Sequence, residues 1–241
     1  MLQVHSIETL GTHEGPGIRL VVFMQGCNFR CLYCHNPDTR PHKGGKQMKS
    51  EEILNMLEKS RPYFKNIGGL TVSGGESLLQ RQELADLFTK AKKAGFNTTL
   101  DTNGSILDED SKKLLEVTDL VLLDVKHIDP VWHMKVTNAS NEPVLQFAKY
   151  LENIGKPMWL RYVLVPGYTN QQEFLEKWGA YFKNYQNIKR VEILPFHKYG
   201  FYKYKELGIE NPLEDCPVPT QEQIKEAENI FKKYFKSVYI R

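Results

Sequence analysis

The stretch Gly69-Leu-Thr-Val-Ser-Gly-Gly-Glu76, continued by Gln82 to Gly95 and by Thr98-Thr-Leu-Asp-Thr-Asn-Gly104, reads as strand, helix, strand. Its outer pieces are short apolar, β-branched runs that end in glycine-rich or Asp-Thr-Asn-Gly turns. Between them Leu84, Leu87, Phe88 and Ala91 recur at helical spacing, and Gly95 follows as a C-terminal stop. Two parallel strands joined by a helix are the simplest structure for such a pattern. The alternation continues in both directions. Strands are predicted over Arg19–Gln25, Gly69–Ser73, Thr98–Asp101, Leu120–Val125, Met158–Val165 and Arg190–Leu194, with a last one near Val238–Ile240. One helix starts at Ser50 as N-cap, with Glu51 and Glu52 in its first turn and Ile53, Leu54 and Leu57 on one face. Others are predicted over about Gln82–Ala94, Ser111–Val117, Val144–Asn153, Gln171–Phe182 and Glu222–Tyr234.

This pattern predicts an α/β fold, a partial (β/α)6 TIM-like barrel of parallel strands. An eight-unit barrel takes about 250 residues, so six units suit 241 residues better. A doubly wound open sheet is the alternative. With no Pro- or Ser-rich linker and no internal repeat, residues 1–241 read as a single domain. It has a short N-terminal extension over residues 1–18 and a C-terminal helix and strand over about 220–241. Hydrophobic residues at 41% and charged residues at 25% exclude disorder, collagen-like repeats and a disulfide-stapled mini-protein. Apolar runs are strand-sized, too short for a bilayer. Met1–Glu8 lacks the features of a secretory signal, so residence in the cytoplasm is expected. Thirty-two basic against 29 acidic residues leave +3 without a like-charge run, which gives no case for nucleic acid or membrane as a partner.

The cysteines say more. Cys27, Cys31 and Cys34 cluster in Gly26-Cys-Asn-Phe-Arg-Cys-Leu-Tyr-Cys-His-Asn36, spaced Cys-x3-Cys-x2-Cys. In a reducing compartment such clustering points to metal or redox chemistry. Four readings compete. Cys31-Leu-Tyr-Cys34-His35 matches a c-type haem attachment pattern, which gives Cys27 no role. A Cys3His zinc site would require the adjacent Cys34 and His35 to reach one ion. A dithiol pair of Cys31 and Cys34 again leaves Cys27 idle. A four-iron, four-sulfur cluster on three thiolates uses all three and leaves one iron open to a chelator.

Ligands of parallel βα folds bind beyond the carboxyl ends of the strands. There the chain places Gly74, Gly75 and Glu76, then Asp101 and Thr102, then Asp124 and Lys126; Arg161 lies within the fifth strand and His197 follows the sixth. For any one of these a structural role competes: turn chemistry for Asp101, a solvated loop for Lys126, the surface for His197, an ion pair for Arg161. Cys216 reads as a free loop thiol. Lys198-Tyr-Gly-Phe-Tyr-Lys-Tyr-Lys205 interleaves bases with aromatics as single-stranded RNA binders do, but it is short and isolated. It reads better as a loop over the barrel mouth, facing solvent or a partner protein.

Cys27-x3-Cys31-x2-Cys34 with Tyr33 before the last cysteine resembles the signature of the radical S-adenosylmethionine superfamily, and Gly74-Gly75-Glu76 resembles its glycine-glycine-glutamate motif. Glu14-Gly-Pro-Gly-Ile-Arg19, Asp101-Thr-Asn-Gly104, Asp124-Val-Lys126 and Leu194-Pro-Phe-His197 extend the resemblance to the glycyl-radical-enzyme activases. No cysteine lies between Asn36 and Ser73, which favours the single-cluster type that activates pyruvate formate-lyase. Two positions depart from the pattern: Ser77 stands where proline commonly follows the motif, and Glu14 where aspartate is usual.

The resemblance implies an enzyme whose reduced 4Fe-4S cluster, on Cys27, Cys31 and Cys34, cleaves S-adenosylmethionine to a 5′-deoxyadenosyl radical. That radical takes hydrogen from a glycine of pyruvate formate-lyase, the protein substrate. A flavodoxin or similar reductant is the implied electron donor, and a monomer the implied form. Glu76 with Gly74 and Gly75 would meet the cofactor's amino group. Lys126, His197 and Arg161 would meet its carboxylate and ribose region, and Asp101 and Asp124 its ribose or amino groups. Tyr33 and His35 would line the adenine side, with Val163 and Leu194 as apolar walls, and Val125 would be a further cofactor contact. Asp101, Thr102 and Asp124 would hold a monovalent cation, and Glu14, Gly15, Gly17 and Arg19 would form a partner-peptide site. The alternatives are a radical enzyme acting on another glycyl radical enzyme or on a small molecule of the deazapurine kind, and a non-catalytic iron–sulfur or zinc protein.

Overall fold

The computed structural model describes residues 1–65 and 67–241. Chain contacts divide it into two compact units, residues 1–28 with 39–122 and residues 29–38 with 123–241. In the first, β1 (Leu2–Gly11), β2 (Arg19–Met24), β3 (Lys46–Met48), β4 (Gly69–Gly74) and β5 (Asn97–Thr102) alternate with α1 (Ser50–Phe64), α2 (Arg81–Lys93) and α3 (Glu109–Glu116). The strands lie in the order β3-β1-β2-β4-β5. β2, β4 and β5 are parallel, and β1 runs antiparallel to both β2 and β3. β6 (Leu120–Asp124) begins in the first unit and ends in the second. The second unit continues with α4 (Pro130–Thr137), α5 (Glu142–Asn153), β7 (Met158–Leu164), α6 (Gln172–Phe182), β8 (Ile188–Pro195), α7 (Phe201–Glu206), α8 (Gln221–Lys232) and β9 (Val238–Ile240). Its strands β7, β8 and β9 are parallel.

The parallel strands are near-continuous apolar runs because both of their faces are covered. Leu20, Val21, Val22 and Met24 of β2 and Leu70 and Val72 of β4 are all fully buried. α2 turns Leu84, Leu87, Phe88 and Ala91 inward, as its spacing predicts, and stops before Gly95 at φ +83°. In the second unit Trp178 of α6 anchors the core. Its ring meets Phe231 at 4.8 Å and Tyr162 at 5.5 Å, and its Nε1 donates to the carbonyl of Val125 at 3.3 Å. Edge-to-face contacts of this kind add to the burial term.

Every predicted strand and helix is present, with ends shifted by up to two residues. Three differences have physical causes. The N-terminal extension is largely a strand, β1; beyond Val4 its residues are mostly exposed or half-buried, so it lacks the apolar run of the parallel strands. Ser50 is not the N-cap of α1. Lys49 takes that place, its amide donating to Glu52 at 2.8 Å, while the Ser50 hydroxyl donates to Asp86. α4 escaped the spacing argument because Val131 and Met134 face outward and no apolar stripe forms. Asp129 caps it by accepting from the amides of Val131 and Trp132, Pro130 opens it, and Asn138 closes it in the left-handed region. Among the described residues no helix is long and apolar enough to cross a membrane.

Candidate functional site

The first unit contributes the end of β2, the glycine-glycine-glutamate turn after β4 and the Asp-Thr-Asn-Gly turn after β5. Gly74 sits at φ +109°, and a Cβ there would lie 2.2 Å from the amide nitrogen of Met24. A Cβ on Gly75 would lie 2.0 Å from the carbonyl oxygen of Gly26. Both glycines are therefore required for the turn to pack against the main chain just before Cys27. The amide of Glu76 donates to that Gly26 carbonyl at 2.8 Å, and the amide of Cys27 to the carbonyl of Arg40 at 3.2 Å.

Glu76 is 1% exposed and has no cation among its hydrogen-bond partners. One carboxylate oxygen accepts from the amide of Leu78 and the hydroxyl of Thr102, the other from the amide of Asn103 at 2.7 Å. Burial pushes the carboxyl up to about 7, against these donors, which favour the charged form. Asp101 accepts from the Ser73 hydroxyl at 2.6 Å, and its carbonyl accepts from Ser77. The side chain of Asn103 donates to Asn28, the residue after Cys27. Thus the unit gathers Gly74, Gly75, Glu76, Asp101 and Thr102 around the start of the cysteine segment.

Arg19, expected with Glu14, Gly15 and Gly17 at a partner-peptide site, lies at the start of β2. Its guanidinium is fully buried. It donates to the Thr71 and Thr99 hydroxyls, the Asn97 side chain and the carbonyls of Leu70 and Pro16. Burial draws it down to about 10. Arg19 thus holds the Gly15–Gly17 turn from behind through Pro16, while Thr71 donates to the carbonyl of Glu14 at 2.6 Å.

The second unit carries Cys31, Tyr33, Cys34 and His35 on a segment with no strand or helix of its own. The amides of Arg30 and Leu32 donate to the carbonyls of Thr137 and Val136 at the end of α4. Tyr33 packs with Val136, Val165, Phe196 and Leu213, and Cys31, Val163 and Cys216 lie against the same cluster. Near the ring, at 5.8 Å from its centroid, is the ammonium of Lys126, which donates to Asp124 at 2.7 Å. Burial pulls the ammonium down, yet Asp124, with Tyr33 and Cys31, more than reverses this, and the net direction is up. His35 and His197 stack with centroids 3.9 Å apart, and Nε2 of His35 donates to the carbonyl of His197. Burial and the second imidazole hold His35 down to about 4. Val125 is buried, and its carbonyl is used by Trp178.

Arg161 makes an ion pair: its Nε donates at 3.1 Å to Glu192, its register partner in β8. Glu192, fully buried, also accepts from Arg190 and Arg241. It was missed in the sequence, although an ionisable residue inside an apolar strand run was signal enough. Tyr204, whose hydroxyl donates to the carbonyl of Cys34 at 2.9 Å, was missed with less to find it by.

A three-thiolate cluster and its chelating cofactor fit these residues. None of the cysteines is in a disulfide, and each signature thiol is half-buried. The hydroxyl of Tyr33, between two of them in the sequence, is buried without a hydrogen-bond partner, an arrangement that costs free energy unless a polar group meets it. Soft thiolates suit iron–sulfur chemistry, and within the second unit Cys31 lies against the cluster around Tyr33, whose ring is near the Lys126 ammonium.

Comparison with known proteins points the same way. Residues 21–177 match the profile of the Radical SAM superfamily. The pyruvate formate-lyase-activating enzyme of Streptococcus mutans is 46% identical over 235 residues, 94% of this chain and 89% of that protein. Its counterpart from Listeria monocytogenes is 43% identical over 237 residues, 95% of this chain and 96% of that one. A radical SAM methyltransferase from Sphaerobacter thermophilus superposes with a TM-score of 0.67 at 13% identity, covering 92% of this chain and 66% of that one. That likeness shows the fold alone: α/β with mostly parallel strands, of the partial TIM-like kind expected above.

Proposed function

Because the chain belongs to the pyruvate formate-lyase-activating enzyme family of the radical SAM superfamily, we propose that it activates pyruvate formate-lyase by forming a glycyl radical on it. When bound, a 4Fe-4S cluster with S-adenosylmethionine supplies the one-electron cleavage that yields a 5′-deoxyadenosyl radical able to take hydrogen from a glycine Cα. The chain's own residues bind, orient and exclude water. Cys27, Cys31 and Cys34 hold the cluster. Glu76 receives the cofactor's amino group, since the oxygen bonded to Asn103 keeps a lone pair, while the main chain of Gly74 and Gly75 borders it. Lys126, fixed by Asp124, faces the carboxylate and ribose region with His197. Tyr33, His35 and Val125 line the adenine side, and Arg161 acts behind them through Glu192. Asp101, Thr102 and Asp124 take a monovalent cation. Glu14, Gly15 and Gly17 meet the partner peptide, with Arg19 as their support. The chain works as one domain and as a monomer in the cytoplasm, where its thiols stay reduced, with a flavodoxin-like reductant.

One observation carries this reading: the likeness to the activating enzymes runs the length of both chains. The test is anaerobic reconstitution, reduction, and incubation with S-adenosylmethionine and pyruvate formate-lyase. A glycyl radical signal by electron paramagnetic resonance is expected. Cofactor cleavage without that signal would assign the radical to another substrate, and a colourless zinc protein would end the radical reading altogether.

A further inference from the structure

The basic and aromatic stretch Lys198–Lys205 has no work in the function above. It is not a loop but the start of α7 with its lead-in, and it has two sides. Tyr199 and Tyr202 are exposed, at 82% and 58%, whereas Tyr204 is 2% exposed. The buried side grips the segment that follows the third signature cysteine. The Tyr204 hydroxyl donates to the Cys34 carbonyl at 2.9 Å. Lys203 Nζ donates to Asn36 at 2.8 Å and to the Asp38 carboxylate at 3.0 Å. Gly200 packs so closely on His35 that a Cβ would lie 2.5 Å from its carbonyl oxygen. His197, just upstream, stacks on the ring of His35. Residues 25–36 belong to no helix or strand, so no ladder of backbone bonds fixes this segment.

We propose that α7 is a positioning element for the third signature cysteine, acting through Tyr204 and Lys203. This rests on the reading that Cys34 ligates the cluster. Tyr204 holds the Cys34 carbonyl directly and Lys203 anchors Asn36 and Asp38 just after it, which together set the direction of the Cys34 main chain and hence of its thiolate. Tyr204 also places the positive end of an O–H dipole on the Cys34 carbonyl, and the Lys203 ammonium offsets the Asp38 carboxylate four residues on. Partners behind a metal ligand orient it and tune the metal, and hydrogen bonds and net charge near an iron–sulfur cluster set its reduction potential. An electron added to the cluster is stabilised by positive charge close by, so removing either group makes reduction harder.

The test is a redox titration of the reconstituted holoenzyme, followed by electron paramagnetic resonance, in wild type, Tyr204→Phe, Lys203→Met and Lys203→Arg. Tyr204→Phe and Lys203→Met are expected to keep the wild-type iron and sulfide content. Both should shift the midpoint to more negative potential and lower cofactor cleavage about tenfold at saturating S-adenosylmethionine. Lys203→Arg, which keeps charge and donors, should return most of the way. A wild-type midpoint and line shape in Tyr204→Phe would overturn the proposal. If that variant does not fold, the same result in Lys203→Met overturns it, since the buried ring is then intact. The midpoint is read without partner protein. A shifted midpoint with no glycyl radical in wild type would therefore count against the activase reading alone. A wild type without any reducible four-iron signal would remove the cluster and this inference together.

Discussion

Glu76 in the first unit and Lys126 in the second both bury a charge at a strand end, and they compensate it by opposite means. Glu76 is surrounded by neutral donors, two amides and a hydroxyl, and its proton affinity rises until it titrates near neutrality. Lys126 has a counter-ion, Asp124, at 2.7 Å, and its proton is held more tightly than in water. Dipoles lower the cost of a buried charge in part, so the group keeps the option of neutralising itself. A direct ion pair removes that option. The first arrangement produces a site that responds to pH, the second one that does not.

The largest expected effect belongs to the three signature cysteines. Cys27→Ala, Cys31→Ala and Cys34→Ala should each lose the cluster entirely, read as iron and sulfide content after anaerobic reconstitution, because two remaining thiolates would leave two of four irons without a protein ligand. A single-alanine variant that kept a full cluster would show that some other side chain serves as ligand. Next in size is Lys126→Met. It leaves Asp124 half-buried beside an apolar group, at a cost of about 3 kcal/mol, the low end for a broken buried pair because the two side chains keep 13% and 21% exposure. Urea unfolding of the apo protein measures it, and the double variant Asp124→Asn/Lys126→Met should recover most of the loss. Since the Lys126 shift is upward from 10.5, its contribution persists at every pH below that value. The difference between wild type and Lys126→Met should therefore stay constant from pH 6 to 9.

Glu76→Gln sharpens the contrast through pH. The folded carboxyl titrates at about 7 and the unfolded one at its ordinary 4.5. The folded state holds its proton where the unfolded chain has lost it, so this group's contribution is fully present below pH 4.5 and is lost as pH rises to 7. The whole span is about 3 kcal/mol. Glutamine cannot titrate, and it keeps an oxygen for Leu78 and Thr102, so the variant's stability curve should be flatter across that window. A wild-type curve already flat there would mean that the donors around Glu76 outweigh its burial.

The same two sites show what a sequence can and cannot tell. Strands and helices were legible because each parallel strand is a short apolar run and each helix repeats at its own period. Glu76, Asp124 and Lys126 were legible as strand-end positions. Their compensation was not, or only half so. Asp124 lies two residues from Lys126 and could be guessed, but Thr102 and Asn103 are 26 and 27 residues from Glu76 and Tyr204 is 170 from Cys34. Those pairings exist only once the strands have been laid side by side. The burial of Arg19 was not legible for a related reason: the threonines and the carbonyl that receive its guanidinium lie 51 to 80 residues further along the chain.

The smallest effect belongs to Cys216→Ala, and it decides whether the second unit supplies two thiolates or three. Cys216 packs against the apolar cluster that also receives Cys31, which makes it the obvious candidate for an additional ligand. Yet its thiol lies 3.6 Å from the carbonyls of Pro166 and Pro217 and is pushed up by burial, so it favours the protonated form, not the thiolate a metal needs. Truncation removes one half-buried sulfur and should cost about 1 kcal/mol in urea unfolding, with iron content and the reduced-cluster signal unchanged. Loss of iron in Cys216→Ala would instead mean that a protein side chain fills the fourth corner. The buried ammonium of Lys126 and the carboxyl of Glu76 would then have no chelating cofactor to receive.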